Sequence, residues 1–157
     1  MKKFNKQKYD EKIDAYFDEL SIKAIDMLKK DMAITFDDIV QNSPVWSGSY
    51  LASHRIRINS ENTRGPVNLR IYADTGGLPI RISESQAAEL RGKARVEKGV
   101  LARELKISDE ITILNQSDHA VLVETTIEPV YQAAITRARN RLAVKSKLIV
   151  LTGRRTK

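Results

Sequence analysis

The stretch NSPVWSGSYLASHRIRIN, residues 42–59, changes its hydrophobic period partway through, and that change decides the fold class. Upstream of it, apolar residues fall at Ile13, Tyr16, Phe17, Leu20, Ala24, Leu28, Met32, Phe36 and Ile39, in steps of mostly three or four. This spacing predicts one stripe of an α-helix from about Tyr9 to Gln41, with Lys12, Asp18, Lys23, Lys30 and Asp37 on other faces. Pro44 bars Ser43 from the α region and ends the helix near Asn42, while Gly48 supplies a residue tolerant of positive φ. LASHRIRIN then alternates: Ile56 and Ile58 lie on one face and Arg55, Arg57 and Asn59 on the other, the pattern of a half-buried strand.

At 1.5 Å per residue the leading helix runs about 50 Å, longer than a domain of this size is wide. Part of its stripe is therefore expected to pack outside its own subunit. Ile22, Ile25 and Ile34 lie off the main stripe and broaden the apolar face. The alternative is a kink or break near Thr35.

Downstream, SENTRGP (60–66) is turn chemistry and VNLRIYA (67–73) alternates again, which predicts a hairpin with the preceding strand. After the break DTGGLP, Ser83 and Gln86 fit a capping box that opens a polar helical excursion over 83–105. Gly92 and Gly99 each weaken it by about 1 kcal/mol, so two short helices or a mobile excursion are the alternatives. Ile111 and Ile113 start a strand that ends at Asn115, and a polar turn leads to the apolar segment Ala120 to Val123. Pro129 opens a closing helix with Val130, Ala133, Ala134, Ala138, Leu142 and Ala143 near one side, and LIVLTGRRTK reads as a short strand or an arm. The expected architecture is α+β in one domain, 1–157. A long N-terminal helix (1–42) precedes a core with a small, mostly antiparallel sheet (43–136), and a basic helix end and arm (137–157) follow.

The length suits one domain, and 41% hydrophobic content can bury about two-thirds of the unfolded surface. With no cysteine, disulfides and thiolate metal sites are excluded, which fits synthesis in a reducing cytoplasm. The start MKKFNKQKYDEK has no apolar run behind it, and no run of about 18 apolar residues occurs, so neither a signal peptide nor a membrane span is expected. The net charge of +7 is a C-terminal feature. Arg137, Arg139, Arg141, Lys145, Lys147, Arg154, Arg155 and Lys157 meet no acid within 137–157, leaving 19 bases against 20 acids in 1–136.

Little in the chain points to catalysis. His54 and His119 are the only histidines, and neither has an acidic cluster at ligand spacing, so each is expected to be hydrogen-bonded or at the surface. Gly76 and Gly77 lack the lysine and helix of a phosphate loop, and Ser47 and Ser49 have no base that the sequence specifies. No enzyme activity, metal or cofactor is expected. Arg137, Arg139 and Arg141 step by two, so they surround the helix, and no aromatic residue interleaves them for stacking on bases.

Two stretches carry a family resemblance. SPVWSGSYLAS (43–53) resembles the Pro-Val-Asp-Thr-Gly signature that follows the N-terminal helix in tail-completion and neck proteins of tailed bacteriophages. ITILNQSDHAVLVETTIEPVYQAAITRA (111–138) is similar to that family's later signature, in which a strand ends in Asn, Tyr-Ala and Glu follow, and a Pro-started helix closes the domain. Pro44, Val45, Ser47 and Gly48 fall on the first motif, and Asn115, Ala120, Glu124 and Pro129 on the second. Trp46 replaces the usual Asp, His119 the usual Tyr, and Thr125 the frequent Gly.

The resemblance implies a structural virion subunit that forms a ring, typically a hexamer, in the neck or upper tail, joining head to tail and letting DNA pass. The tail terminator is the neighbouring alternative, and a nucleic-acid-binding protein acting through residues 137–157 is the competing one. Implied partners are further copies of the chain and adjacent connector, neck or tail proteins. Contact with DNA in the channel remains open. Trp46 and Tyr50 are candidate interface anchors, with Trp46 equally able to fill the core, and Arg137, Arg139 and Arg141 are candidate contacts with a neighbour's acidic face.

Overall fold

The computed structural model describes residues 6–45, 48–62, 65, 81–118, 120–127 and 129–152, the last nine as backbone only. Helix α1 spans Lys6–Asn42 without interruption. Its 37 residues make a rod of about 55 Å, and the break considered near Thr35 does not occur. Thr35 instead bonds back to the Asp31 carbonyl (2.7 Å) inside the continuous helix.

The turn after α1 closes as its residues dictate. Gly48 sits at φ 79°, and the short helix α2 (Ser49–Ala52) starts directly from it. Strand β1 (His54–Ile58) follows and pairs antiparallel with β2 (Ile111–Asn115), with His54 opposite Asn115 and Ile58 opposite Ile111. The expected hairpin partner, 67–73, lies outside the described residues. Beyond β1, Asn59 takes φ 55° and clasps the start of β2. Its amide nitrogen donates to Asp109 (3.0 Å), and its side-chain oxygen accepts from the Glu110 backbone (2.9 Å).

The half-buried reading of β1 needs correction, because its second face is covered as well. Arg55 is only 4% exposed, and its guanidinium donates to the carbonyls of Ala52, His54 and Gly65. Those bonds replace the water that a buried cation gives up.

The capping box is present as the sequence predicts. Gln86 N–H donates to Ser83 Oγ, the Gln86 side chain accepts from Ser83 N–H, and helix α3 runs Glu84–Arg95 behind them. A 3-10 segment, Val96–Ala102, continues it, so the excursion is one helix with a tightened end. A Cβ added at Gly92 would meet nothing within 4 Å. Gly92→Ala is thus expected to stabilise the protein by about 0.5–1 kcal/mol through the lower entropy of the unfolded chain, a gain read as a higher midpoint in urea.

The core gathers Phe36 and Val40 of α1, Leu51 of α2, Ile56 of β1, Ile82, Ala87 and Ala94 around α3, and Leu101. The two alanines let α3 approach closely. After β2 come helix α4 (Ala120–Leu122), a π-helical turn (Val123–Ile127) and helix α5 (Val130–Thr152), which starts behind Pro129. The helix continues through residues 148–152, which corrects the short-strand reading of LIVLT. Val130 and Ala134 pack on Ile39, and Arg141 reaches Asp31, so α5 runs antiparallel along α1. The whole is α+β: two long helices, a two-stranded antiparallel sheet among the described residues, and a helical excursion. No helix among the described residues is long and apolar enough to cross a membrane.

Candidate functional site

Two features stand out, a buried polar joint and a bare helix face. The joint centres on His54, which is fully buried. Ser43 donates its hydroxyl proton to the Ile39 carbonyl (2.7 Å), so toward the imidazole its Oγ accepts, and His54 Nε2 carries the proton across the 2.7 Å between them. His54 Nδ1 is left to accept, from the Tyr131 hydroxyl (2.9 Å) and the Asn115 amide (3.2 Å). Phe36, Tyr50 and Tyr131 wall the ring.

With donors on one side and a proton already on the other, the imidazole is held neutral. Burial pushes its pKa down to about 3, and the charge of Arg55 adds to the shift. Burial also pushes the Tyr131 phenol up, and the Glu124 carboxylate acts in the same direction.

A hydroxyl 2.7 Å from an imidazole has the spacing of a nucleophile and its base. Here the ring nitrogen facing the serine already holds its proton, and both side chains are sealed from solvent. This pair acts as a joint between α1 and β1.

Tyr50 completes the joint. The Asn115 amide donates to the Tyr50 carbonyl (2.8 Å), and the Tyr50 hydroxyl donates to Glu124 Oε1 (2.5 Å). Glu124 Oε2 accepts from the Tyr131 backbone (3.1 Å), and Asn115 Oδ1 from that of Ser117 (2.8 Å). Asn115 and Glu124, both on the second motif, therefore grip a tyrosine of the first motif from two sides. Interface anchoring by Tyr50 is corrected by this placement: it is 6% exposed and used inside the subunit. Trp46, Ser47 and His119 lie outside the described residues.

The other motif positions are structural. Pro44 follows the end of α1, Val45 packs against the core, Gly48 makes the left-handed turn, Ala120 opens α4 by bonding to the Ser117 carbonyl, and Pro129 precedes α5.

The basic C-terminal residues divide. Arg137 Nε meets Asp38 (2.6 Å), and Arg141 meets buried Asp31 (2.9 Å) and Thr35 (2.7 Å). Four residues apart, these two arginines share the face toward α1, Arg137 at its exposed edge, whereas Arg139 lies about 160° round the helix from them. Surrounding the helix is thus corrected to one inward pair with an outward residue between them. On the other side of α1, Asp37 takes Lys98 (2.7 Å) and Arg95 (3.4 Å). Adjacent aspartates, about 100° apart on the helix, bind α5 and the α3 excursion to one rod.

The bare face is the N-terminal half of α1. Phe36, Ile39 and Val40 are buried, yet along the same helix Tyr9 is 54%, Tyr16 53% and Phe17 61% exposed. Tyr16 and Phe17 stack edge to face at 6.3 Å with solvent beyond them. Near α4, Val121, Leu122 and Ile127 are exposed too.

A cleft of about 390 Å³ lies between β1 and the 3-10 segment, lined by Arg57, Glu61, Glu97, Val100 and Arg103 among others. Its charges offset one another, with Arg103 paired to Glu61 at 2.5 Å. Among the described residues no three His, Asp or Glu side chains gather as a metal site. Comparison of the chain with protein-family models, with curated proteins and with solved structures gives no match.

Proposed function

We propose that this chain is a structural subunit of a tailed bacteriophage, assembling into a ring in the neck or upper tail that joins head to tail and lets DNA pass. The observation that carries the reading is the interlock of the two motif stretches. Asn115 and Glu124, more than sixty residues downstream, hold Tyr50 by its carbonyl and its hydroxyl. Residues that resemble two separate family signatures thus perform one task in the fold, tying the turn after α1 to the end of β2 and the turn beyond it.

The exposed face of α1 supports assembly. A row of large apolar side chains left in water on a rod of about 55 Å is the surface a neighbouring subunit covers. In a ring each subunit gives one surface and receives another. The DNA-binding alternative has less to draw on, because Arg137 and Arg141 are spent on Asp38 and Asp31.

Light scattering across a concentration series, with and without neighbouring neck proteins, tests the reading. The expected mass is a fixed multiple of the 17.8 kDa chain, with closed rings in negative-stain images. A chain that stays single at every concentration and binds no neck or tail protein contradicts it.

A further inference from the structure

We infer that the exposed apolar face at the start of α1 is covered by the basic, apolar end of α5 from a second copy of the chain. The inference rests on the assembly reading above and names the surfaces that meet. Tyr16 and Phe17 project into solvent, and helix geometry sets Asp10, Asp14 and Asp18, four apart, in a row beside Phe17. The neighbours of Asp14 at three and four residues are Asp10, Glu11, Phe17 and Asp18, so no base of α1 adjoins it. Like charges at this spacing cost a helix about 0.2–0.5 kcal/mol per pair. None of the ion pairs among the described residues engages these three aspartates. A greasy strip beside Asp14 and Asp18, which no base of α1 adjoins at three or four residues, suits a partner that is both apolar and cationic.

The same chain carries that complement. With Arg137 and Arg141 engaged by α1, six bases remain in 137–157, interleaved with Leu142, Val144 and the run Leu148 to Leu151. The subunit's own α5 helix does not deliver Arg139, Lys145 or Lys147 to the aspartates. Its antiparallel register places Arg141 beside Asp31, and both helices rise 1.5 Å per residue. Thr152 therefore comes alongside about residue 20 of α1, and Lys145 and Lys147 stop nearer residues 25–27. The acidic, aromatic end of the rod extends about four turns beyond that helix, open to another copy.

Charge reversal tests this. One chain carries Asp10→Lys, Asp14→Lys and Asp18→Lys; another carries Arg139→Glu, Lys145→Glu and Lys147→Glu. Each alone is expected to need at least about tenfold more protein than the parent to associate in light scattering. An equimolar mixture is expected to regain the parental behaviour, since each reversed surface then meets its opposite on the other chain. Circular dichroism checks that helix content is kept; should either chain lose it, Asp→Asn and Lys→Gln versions with a salt titration supply the same comparison. If the parent associates and the reversed chains match it, or the mixture fails to recover, the pairing of these surfaces is overturned and the assembly reading stands. If the parent never associates, both fall.

Discussion

Replacing Asn115 with leucine is expected to cost the protein about 3 kcal/mol, a drop of about 6–12 °C in melting midpoint for a chain of this size. Leucine has nearly the same shape, so the loss is polar. The Tyr50 carbonyl and the Ser117 N–H lose their asparagine partners, and His54 Nδ1 keeps only the tyrosine hydroxyl. Each such partner lost in a part-buried setting costs about 1 kcal/mol or more. Thermal melts of the two proteins check it, and a midpoint within a degree of the parent contradicts the joint. Asn115→Asp keeps the acceptor for Ser117 but turns an oxygen toward Nδ1. It should therefore favour the protonated ring and move the His54 pKa upward.

Acidification from pH 7 to pH 5 is expected to remove about 2 kcal/mol of stability through His54 alone. The folded imidazole titrates near 3 and the unfolded one near 6.5, so between those values the unfolded chain binds the extra proton. The histidine's contribution is therefore complete above pH 6.5 and is lost as pH falls toward 3. Asp109 adds loss in the same direction at lower pH, its carboxyl being held down by hydrogen bonds from Asn59 and the Lys106 backbone. Urea melts at pH 7, 6 and 5 measure the slope. His54→Gln, less stable at neutral pH, should flatten it over this window, and an unchanged slope would place the titrating group elsewhere.

Much of the frame was legible because it is local. The three-to-four spacing from Ile13 to Ile39 specifies α1, Ser83 and Gln86 specify the start of α3, and Pro129 that of α5. Gly48 and Asn115 mark a turn and a strand end that the structure places at the same residues.

What escaped the sequence is non-local. Alternation in residues 54–59 marks a strand without naming its neighbours, so the distant pairing with 111–115 could not be read from it. An aromatic residue on a turn reads alike as core or interface, so the burial of Tyr50 depended on Glu124 arriving from another part of the chain. His54 gave no hint of Ser43, Asn115 and Tyr131 as partners. One signal was available: Asp31 and Asp38 lie seven apart on α1, Arg137 and Arg141 four apart on α5, and both spacings put charges on one helical face. The apolar run at 148–151 suggested a strand because its period is ambiguous, and the helix already under way absorbs it.

That a neighbouring copy covers the outer half of α1 is tested most directly by hydrogen exchange along this one helix, read at low and high protein concentration. Amides around Phe36 to Val40 are expected to be protected throughout, since they lie in the subunit's own core. Those from about residue 9 to 22 should exchange quickly in dilute protein and become protected as it is concentrated. Equal protection of that segment at every concentration would mean the helix face is satisfied within a single subunit, contrary to the assembly described here.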